Sequence, residues 1–161
     1  PSRPATFASN KGKNDRCLDL VDIVSWNVYT GWYGGTPDDI EAHIEDMLAW
    51  LHSDAESGGA GKPVIMSEFG AGAILGNRQR CRSHWSEEYQ CDVLDECLRV
   101  YLNHPDIVGT HIWQFCDVRV TKDWWKTRPR TYNNKGTVDE YRRPKLAYDT
   151  VKQRMNSCGE T

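Results

Sequence analysis

The chain has 161 residues, of which 39% are hydrophobic, 11% aromatic and 27% charged, and this balance predicts one globular domain with a core of moderate size. The 20 basic and 23 acidic side chains give a formal net charge of -3, so the chain lacks the basic surface of a nucleic-acid-binding protein. The sequence contains no run of about 18 apolar residues, so no membrane span is predicted. No signal peptide is visible, but a processed protein would have lost it, so the compartment stays open.

The six cysteines form no Cys-x-x-Cys pair, so no familiar zinc-ligand spacing is present. Six cysteines in a chain of this length also fall short of the density that is typical of small disulfide-linked domains. We therefore predict buried free thiols for these residues, which are Cys17, Cys81, Cys91, Cys97, Cys116 and Cys158.

Short apolar runs alternate along the chain with segments of helical periodicity. The predicted strands are residues 6–8, 21–29, 62–70 and 106–115. The predicted helices are residues 36–52, 86–103 and 144 onward. Thr36 is suited to cap the first helix, with Pro37 at its first turn. Because strands and helices alternate, we expect parallel strands joined by right-handed crossovers.

Side-chain alternation in the strands bears on how the sheet closes. Strict alternation places Val64, Met66 and Glu68 on one face of their strand. On two of the three longer strands, one face is apolar, whereas the other is mixed and becomes polar toward the carboxyl end. An open parallel sheet is usually apolar on both faces, so this pattern favours a barrel with a polar site at the carboxyl ends of its strands.

Three predicted strand ends carry groups that are suited to sugar chemistry. They are Asn27 to Tyr29, Ser67 to Gly70, and Trp113 to Phe115. A carboxylate such as Glu68 can attack or stabilise an oxocarbenium-like centre, and aromatic faces pack against sugar C–H surfaces. Taken alone, a strand-end Glu also suits a structural ion pair, and a strand Trp also suits the core.

Five motifs together resemble the β-glucuronidase branch of the family 2 glycoside hydrolases. The similarity runs from Pro4 to about Arg154. The motifs are Asn27-x-Tyr29-x-Gly31-Trp32-Tyr33, Pro63 to Gly70, Trp85-Ser86-Glu87-Glu88-Tyr89-Gln90, Trp113-x-Phe115-x-Asp117, and Asn133-Asn134-Lys135-Gly136 followed by Arg143-Pro144-Lys145. The resemblance implies an α/β fold, the C-terminal half, (βα)4, of a (β/α)8 TIM barrel. Residues 1–161 would then be a partial catalytic domain with barrel strands five to eight and their helices.

The resemblance also implies roles for single residues. Glu68 would be the nucleophile of a retaining O-glycosyl hydrolase, and Tyr29 would donate a hydrogen bond to it. The other expected substrate-binding residues are Asn27, Tyr33, Trp113, Asn133 and Lys135. Of these, Asn133 and Lys135 match a pair that contacts the C6 carboxylate of glucuronic acid. The implied substrate is a terminal β-D-glucuronide, and the resemblance implies no cofactor and no metal. An ordinary turn is the alternative interpretation of the Asn133 segment.

Some residues depart from the family pattern. Gln114 and Cys116 replace the usual Asn and Ala, and residues 118–132 are rich in Trp and Arg. An arginine that the family places shortly before Asn133 falls at Arg128 or Arg130 instead. The loop arginines Arg78, Arg80 and Arg82 suit either attraction of an acidic sugar or a solvated loop, and we favour the loop.

A retaining mechanism needs a second carboxyl group about 5–5.5 Å from the first. The family supplies it as Asn-Glu at the end of the fourth barrel strand, and no Asn-Glu dipeptide occurs here. We therefore expect the isolated chain to be inactive.

Two alternatives remain open, a β-galactosidase-like hydrolase and a non-catalytic sugar-binding or assembly half-barrel. We also hypothesise a homodimer, because four βα units expose two sheet edges that two copies can pair.

Overall fold

The computed structural model describes residues 2–53 and 55–157. The strands are β1 (Val24–Asn27), β2 (Val64–Phe69), β3 (Ile107–Ile112), β4 (Val118–Arg119) and β5 (Tyr132–Asn133). The helices are α1 (Ile40–Ser53), α2 (Glu87–Asn103) and α3 (Leu146–Ser157). No helix in these described ranges is long and apolar enough to cross a membrane.

The main sheet is parallel, with strand order β1-β2-β3, so the predicted α/β fold is confirmed. Apolar residues of the three strands pack with α1 and α2 in one core cluster. Trp26 and Phe69 are its largest strand side chains, and the Phe69 ring meets Tyr101 of α2 edge to face at 4.9 Å. The helices therefore hold one face of the sheet, and the strand ends are free to carry a site.

The predicted strand over residues 6–8 is wrong. In the structure this segment pairs with β1 only through a single parallel bridge between Ser9 and Trp26. The hydroxyl group of Thr6 donates to the Ile23 carbonyl oxygen at 2.7 Å. Because a side chain takes this acceptor, the backbone ladder does not extend over Thr6.

The prediction that Glu68 shares a strand face with Val64 and Met66 is also wrong. The register of β2 against β1 shifts, since Trp26 faces Met66 whereas the next residue, Asn27, faces Glu68. Ser67 is therefore the extra residue of a β-bulge, which reverses the alternation after Met66. Val64, Met66 and Phe69 lie in the core, whereas Glu68 lines a cavity at the strand end.

The starts of the first two predicted helices are confirmed by their caps. Thr36 and Asp39 form a reciprocal capping box around a 3-10 turn, Pro37–Asp39, that leads into α1. The Ser86 side chain accepts a hydrogen bond from the Tyr89 backbone N–H at the start of α2. These caps place α1 and α2 where the sequence predicts them.

A buried ion pair joins the loops that follow the strands. The Lys145 Nζ donates to Asp117 Oδ1 at 2.8 Å and to the carbonyl oxygens of Ala73 and Asn134 at 2.6 and 3.0 Å. Lys145 is only 1% exposed. Burial lowers the pKa of Lys145 and raises that of Asp117, and each charge opposes the change in its partner. The pair therefore fixes the connections after β2 and β3 and before α3 relative to one another.

The cysteines of the described residues are free thiols, but the prediction that they are buried is only partly right. Cys91 and Cys97 are buried and Cys116 is half-buried, whereas Cys17 and Cys81 lie exposed in loops. Cys158 lies outside the described residues. Burial raises the pKa of the Cys97 thiol to about 12, which makes it an inert core side chain.

We predict that Lys145→Met destabilises the protein by about 3–5 kcal/mol, because it leaves Asp117 buried without its cation. Urea unfolding of the full-length gene product, followed by circular dichroism, measures this. Lys126→Met is the matched control, since Lys126 pairs with Asp123 at the surface and its loss is expected to change the stability by less than about 1 kcal/mol. Equal effects of the two substitutions would contradict the prediction.

Candidate active site

A cavity of about 510 Å³ lies beyond the carboxyl ends of the three parallel strands. Its lining residues are Asn10, Asn27, Tyr29, Tyr33, Glu68, Trp113, Trp125, Arg128 and Asn133. Six of the seven residues that the sequence analysis selected are therefore brought together here. Asn10, Trp125 and Arg128 also line the wall, and they are not among the predicted site residues. None of the described residues that line a separate groove of about 340 Å³ between β3 and α3 is acidic.

Glu68 is held in the cavity wall by a tyrosine. The Tyr29 hydroxyl donates to Glu68 Oε2 at 2.9 Å. Burial raises the pKa of Tyr29 well above its usual value, and the hydrogen bond and charge of Glu68 raise it further. Tyr29 therefore remains a protonated donor, and it fixes one oxygen of the carboxylate.

The β2 bulge places a second polar group beside Glu68. The Ser67 hydroxyl donates to Asn27 Oδ1 at 2.8 Å, which links the ends of β1 and β2. The end of β3 is linked to β2 by a backbone hydrogen bond, in which the Trp113 N–H donates to the Phe69 carbonyl oxygen at 2.8 Å. The amide of Asn27, the carboxylate of Glu68 and the indole of Trp113 therefore share one cavity wall.

Glu68 is the only carboxylate among the described residues that line this cavity. The same described part of the chain holds no group of three or more His, Cys, Asp or Glu side chains arranged for a metal ion. The cavity thus presents one anchored carboxylate, amides and aromatic rings, together with cationic groups.

Two cationic side chains meet at the phenol oxygen of Tyr33. Arg128 Nη2 donates to Tyr33 Oη at 3.0 Å, and Lys135 Nζ donates to it at 3.1 Å. A guanidinium has no acceptor, so the phenol accepts from Arg128. When Lys135 is protonated it has no acceptor either, so the phenol accepts from both and its own proton is left for a further acceptor. Within the described residues, neither cation forms an ion pair, unlike Arg130 with Glu140 or Lys145 with Asp117.

Lys135 does not itself line the cavity, because it lies directly behind Tyr33. It is 2% exposed, and its Nζ is 4.4 Å from the ring centre of Tyr33 and 4.5 Å from that of Trp32. Burial, and to a smaller extent the charge of Arg128, lower the pKa of Lys135 to about 6, and the charge of Glu68 opposes this shift. An anion that reaches this corner would favour the protonated ammonium.

The turn that carries Trp32 and Tyr33 is fixed from several sides. Gly31 has φ +84°, a left-handed conformation that glycine adopts without strain. The Tyr89 hydroxyl of α2 donates to the Gly31 carbonyl oxygen at 2.6 Å. A side chain on Gly72 would meet Trp32 at 2.9 Å, so only glycine at that position allows the close packing. Lys135 therefore faces a rigid aromatic surface.

The structure distinguishes the two candidate arginines before Asn133. Arg128 lines the cavity, whereas Arg130 pairs with Glu140 outside it. The arginines of the loop after β2 do not line the cavity. Arg78 pairs with the buried Glu87 and Arg82 with Asp92, and both arginine side chains are about half exposed, which agrees with the favoured interpretation of a solvated loop.

Parallel strands whose ends surround an anchored carboxylate and aromatic rings are typical of sugar-cleaving barrels. The model of the glycosyl hydrolases family 2 TIM barrel domain matches residues 1–158, and the chain belongs to this family.

Curated relatives of the chain include β-glucuronidases from bacteria and mammals. It is 30% identical to the β-glucuronidase of Streptococcus agalactiae over 143 residues, which are 87% of this chain and 22% of that protein. It is 32% identical to the human β-glucuronidase over 164 residues, which are 96% of this chain and 23% of that protein. The chain thus spans about a quarter of the length of these relatives.

Solved structures add a second kind of relative. A family 2 β-galacturonidase from Eisenbergiella tayi bound to galacturonate has a TM-score of 0.90 and 47% identity, with 96% of this chain and 27% of that chain covered. The β-D-glucuronidase of Dictyoglomus thermophilum has a TM-score of 0.84 and 29% identity, with 100% and 26% covered. Both support the same fold for the described residues.

We predict that Lys135→Met stabilises the protein at pH 7 by about 1 kcal/mol or more. The pKa of Lys135 is lower in the folded state than in the unfolded state, so between pH 6 and 10.5 the unfolded chain binds more protons. The destabilisation by Lys135 therefore grows as the pH falls through this range, and the gain in the variant shrinks toward pH 10. Urea titrations at pH 7 and 9.5 measure it, with Lys152→Met on the exposed side of α3 as the control. A loss of stability at pH 7 would contradict the assigned shift.

Proposed function

We propose that this chain is part of the catalytic domain of a retaining family 2 hydrolase that removes terminal β-D-hexuronic acid residues. Residues 1–161 would supply barrel strands five to eight, and Glu68 would be the nucleophile. The observation that carries the acidic substrate is the convergence of Arg128, Lys135 and the Tyr33 hydroxyl beside the Glu68 cavity. These groups offer donors and positive charge without an internal carboxylate partner, which suits the C6 carboxylate of a hexuronide.

In the proposed reaction, Glu68 attacks the anomeric carbon while the glycosidic oxygen leaves and takes a proton from a general acid. The covalent glycosyl-enzyme is then hydrolysed by water, which the same acid group, now a base, deprotonates. Tyr29 would hold Glu68 in its attacking orientation, since its raised pKa keeps it a donor. Asn27 and Trp113 would contact the sugar ring, and Asn133 and Tyr33 would position its carboxylate together with Arg128.

The general acid/base has no candidate in the cavity lining of the described residues, where Glu68 is the only carboxylate. We propose that this second carboxylate is supplied by polypeptide outside these 161 residues, about 5–5.5 Å from Glu68. The isolated chain is then expected to have no glycosidase activity, although it carries the nucleophile.

Two sugars share the carboxylate that the cation pair would recognise. A β-D-glucuronide is supported by the curated relatives, which are named β-glucuronidases. A β-D-galacturonide is the second candidate, because the 47% identity to the Eisenbergiella tayi β-galacturonidase exceeds the 29% identity to the Dictyoglomus thermophilum β-D-glucuronidase. The two sugars differ at C4, so direct comparison of their aryl glycosides distinguishes them.

The remaining alternatives make different demands on the site. A β-galactosidase-like enzyme binds a neutral sugar and has no use for Arg128 and Lys135 without counterions. A non-catalytic half-barrel, including one that pairs two copies through exposed sheet edges, has no use for the oriented Glu68. Loss of activity on substitution of Glu68 and a preference for acidic sugars would therefore exclude both.

We predict that the full-length gene product hydrolyses 4-nitrophenyl β-D-glucuronide or β-D-galacturonide in preference to the β-D-galactoside. Glu68→Gln is expected to lower kcat by a factor on the order of 10³ or more, because an amide cannot form the covalent intermediate. Glu45→Gln, at a surface position that is 59% exposed, serves as the control. Retained turnover in Glu68→Gln would overturn the assignment of the nucleophile, and a preference for the galactoside would overturn the acidic substrate.

We also predict that hexuronate affinity falls as the pH rises above about 6, by up to about tenfold per pH unit. The fall ends at the pKa of Lys135 in the complex, which the ligand carboxylate raises. The ligand carboxylate favours protonated Lys135, so the complex takes up a proton when it forms. Calorimetric titration of D-glucuronate and D-galacturonate between pH 5.5 and 7.5 measures both the affinity and the proton uptake. The uronate methyl ester is the control. An affinity that is independent of pH would contradict the role of Lys135.

A further inference from the structure

A hairpin that departs from the family pattern delivers Arg128 to the cavity. It consists of β4, β5 and the residues between them, and we call it the 118–133 hairpin. Its base is held by the antiparallel pairing of Val118 with Asn133 and of Arg119 with Tyr132. Its tip carries the 3-10 turn Asp123–Trp125. Both Trp125 and Arg128 reach the wall of the Glu68 cavity from this tip.

Within the hairpin, Arg128 is held by aromatic groups. Its guanidinium carbon lies 4.4 Å from the ring centre of Trp125, and its Nη2 donates to Tyr33 Oη at 3.0 Å. The Arg128 backbone N–H also donates to the Trp125 carbonyl oxygen at 3.0 Å, which fixes the two residues in one turn. The nearby acidic residue Asp123 pairs with Lys126 instead.

Arg130 provides a comparison in the same hairpin. It also lies over an aromatic ring, that of Tyr132 at 5.0 Å, but its guanidinium pairs with Glu140. A carboxylate partner neutralises a guanidinium, whereas an aromatic face attracts the cation and leaves its charge available. The two arginines therefore have the same chemistry and different availability to a ligand.

We propose that Trp125 is a positioning residue, which holds the Arg128 guanidinium at the cavity wall and so sets the preference for acidic over neutral sugars. This inference rests on the proposed function, because it assumes that the ligand at this wall carries a carboxylate. Trp125 would act through Arg128, since a tryptophan face has no preference of its own for a carboxylate. The 118–133 hairpin is then the specificity element of this site.

The test compares Trp125→Leu, which removes the aromatic face, with Trp125→Phe, which keeps a smaller one, in the full-length gene product. Dissociation constants for D-glucuronate, D-galacturonate and their methyl esters are measured by calorimetry. Trp125→Leu is expected to weaken hexuronate binding about five- to tenfold, Trp125→Phe by less than about twofold, and neither is expected to change binding of the esters. Circular dichroism checks that the variants fold alike.

Coupling to Arg128 separates positioning from simple stacking. In an Arg128→Gln background, Trp125→Leu is expected to have no further effect on hexuronate affinity. Arg130→Gln is the matched control in the same hairpin and is expected to leave this affinity unchanged. Equal weakening of acids and esters by Trp125→Leu would show that Trp125 packs on the sugar ring, and this would overturn the positioning role.

The outcomes also separate this inference from the function on which it rests. If the unaltered protein binds the methyl esters as well as the acids, the acidic-sugar proposal fails and this inference fails with it. If the unaltered protein prefers the acids and Trp125→Leu keeps that preference in full, only the role of Trp125 fails. A loss of preference that is confined to Trp125→Leu and Arg128→Gln supports both.

Discussion

The site depends on the phenol oxygen of Tyr33, which lies within hydrogen-bond distance of an arginine and of a buried lysine. Tyr33 Oη receives Arg128 at 3.0 Å and Lys135 at 3.1 Å, and no carboxylate of the described residues forms an ion pair with either. Like charges repel at this range, and burial adds a cost for Lys135 that lowers its pKa to about 6. Such an arrangement destabilises the empty protein, and the anionic sugar that we propose as ligand would offset this cost.

The two buried lysines differ in their partners and in their effect on stability. Lys145, 1% exposed, is paired with Asp117 and bonded to two carbonyl oxygens, so it stabilises the loops around the site. Lys135, 2% exposed, has aromatic faces and one phenol as its partners. The first fixes the loops around the site, and in our proposal the second interacts with the ligand carboxylate.

Local signals made part of this structure predictable from sequence. The caps at Thr36 and Ser86 depend on neighbouring residues, so the starts of the first two helices can be predicted from the sequence. The predicted face of Glu68 is wrong because the β2 bulge depends on the register of β2 against β1, which local sequence does not determine. The choice between Arg128 and Arg130 was likewise open, since only the hairpin geometry shows which of them reaches the cavity. Contacts between distant segments therefore account for what the sequence pattern could not supply.

The most direct test of the acidic-sugar site is a crystal structure of the full-length gene product with D-glucuronate or D-galacturonate bound. We expect the ligand carboxylate to lie within hydrogen-bond distance of the Arg128 guanidinium and the Tyr33 hydroxyl, with the anomeric carbon beside Glu68. A carboxylate that points to solvent or toward Trp113, with Arg128 and Lys135 left without an anion, would contradict this expectation.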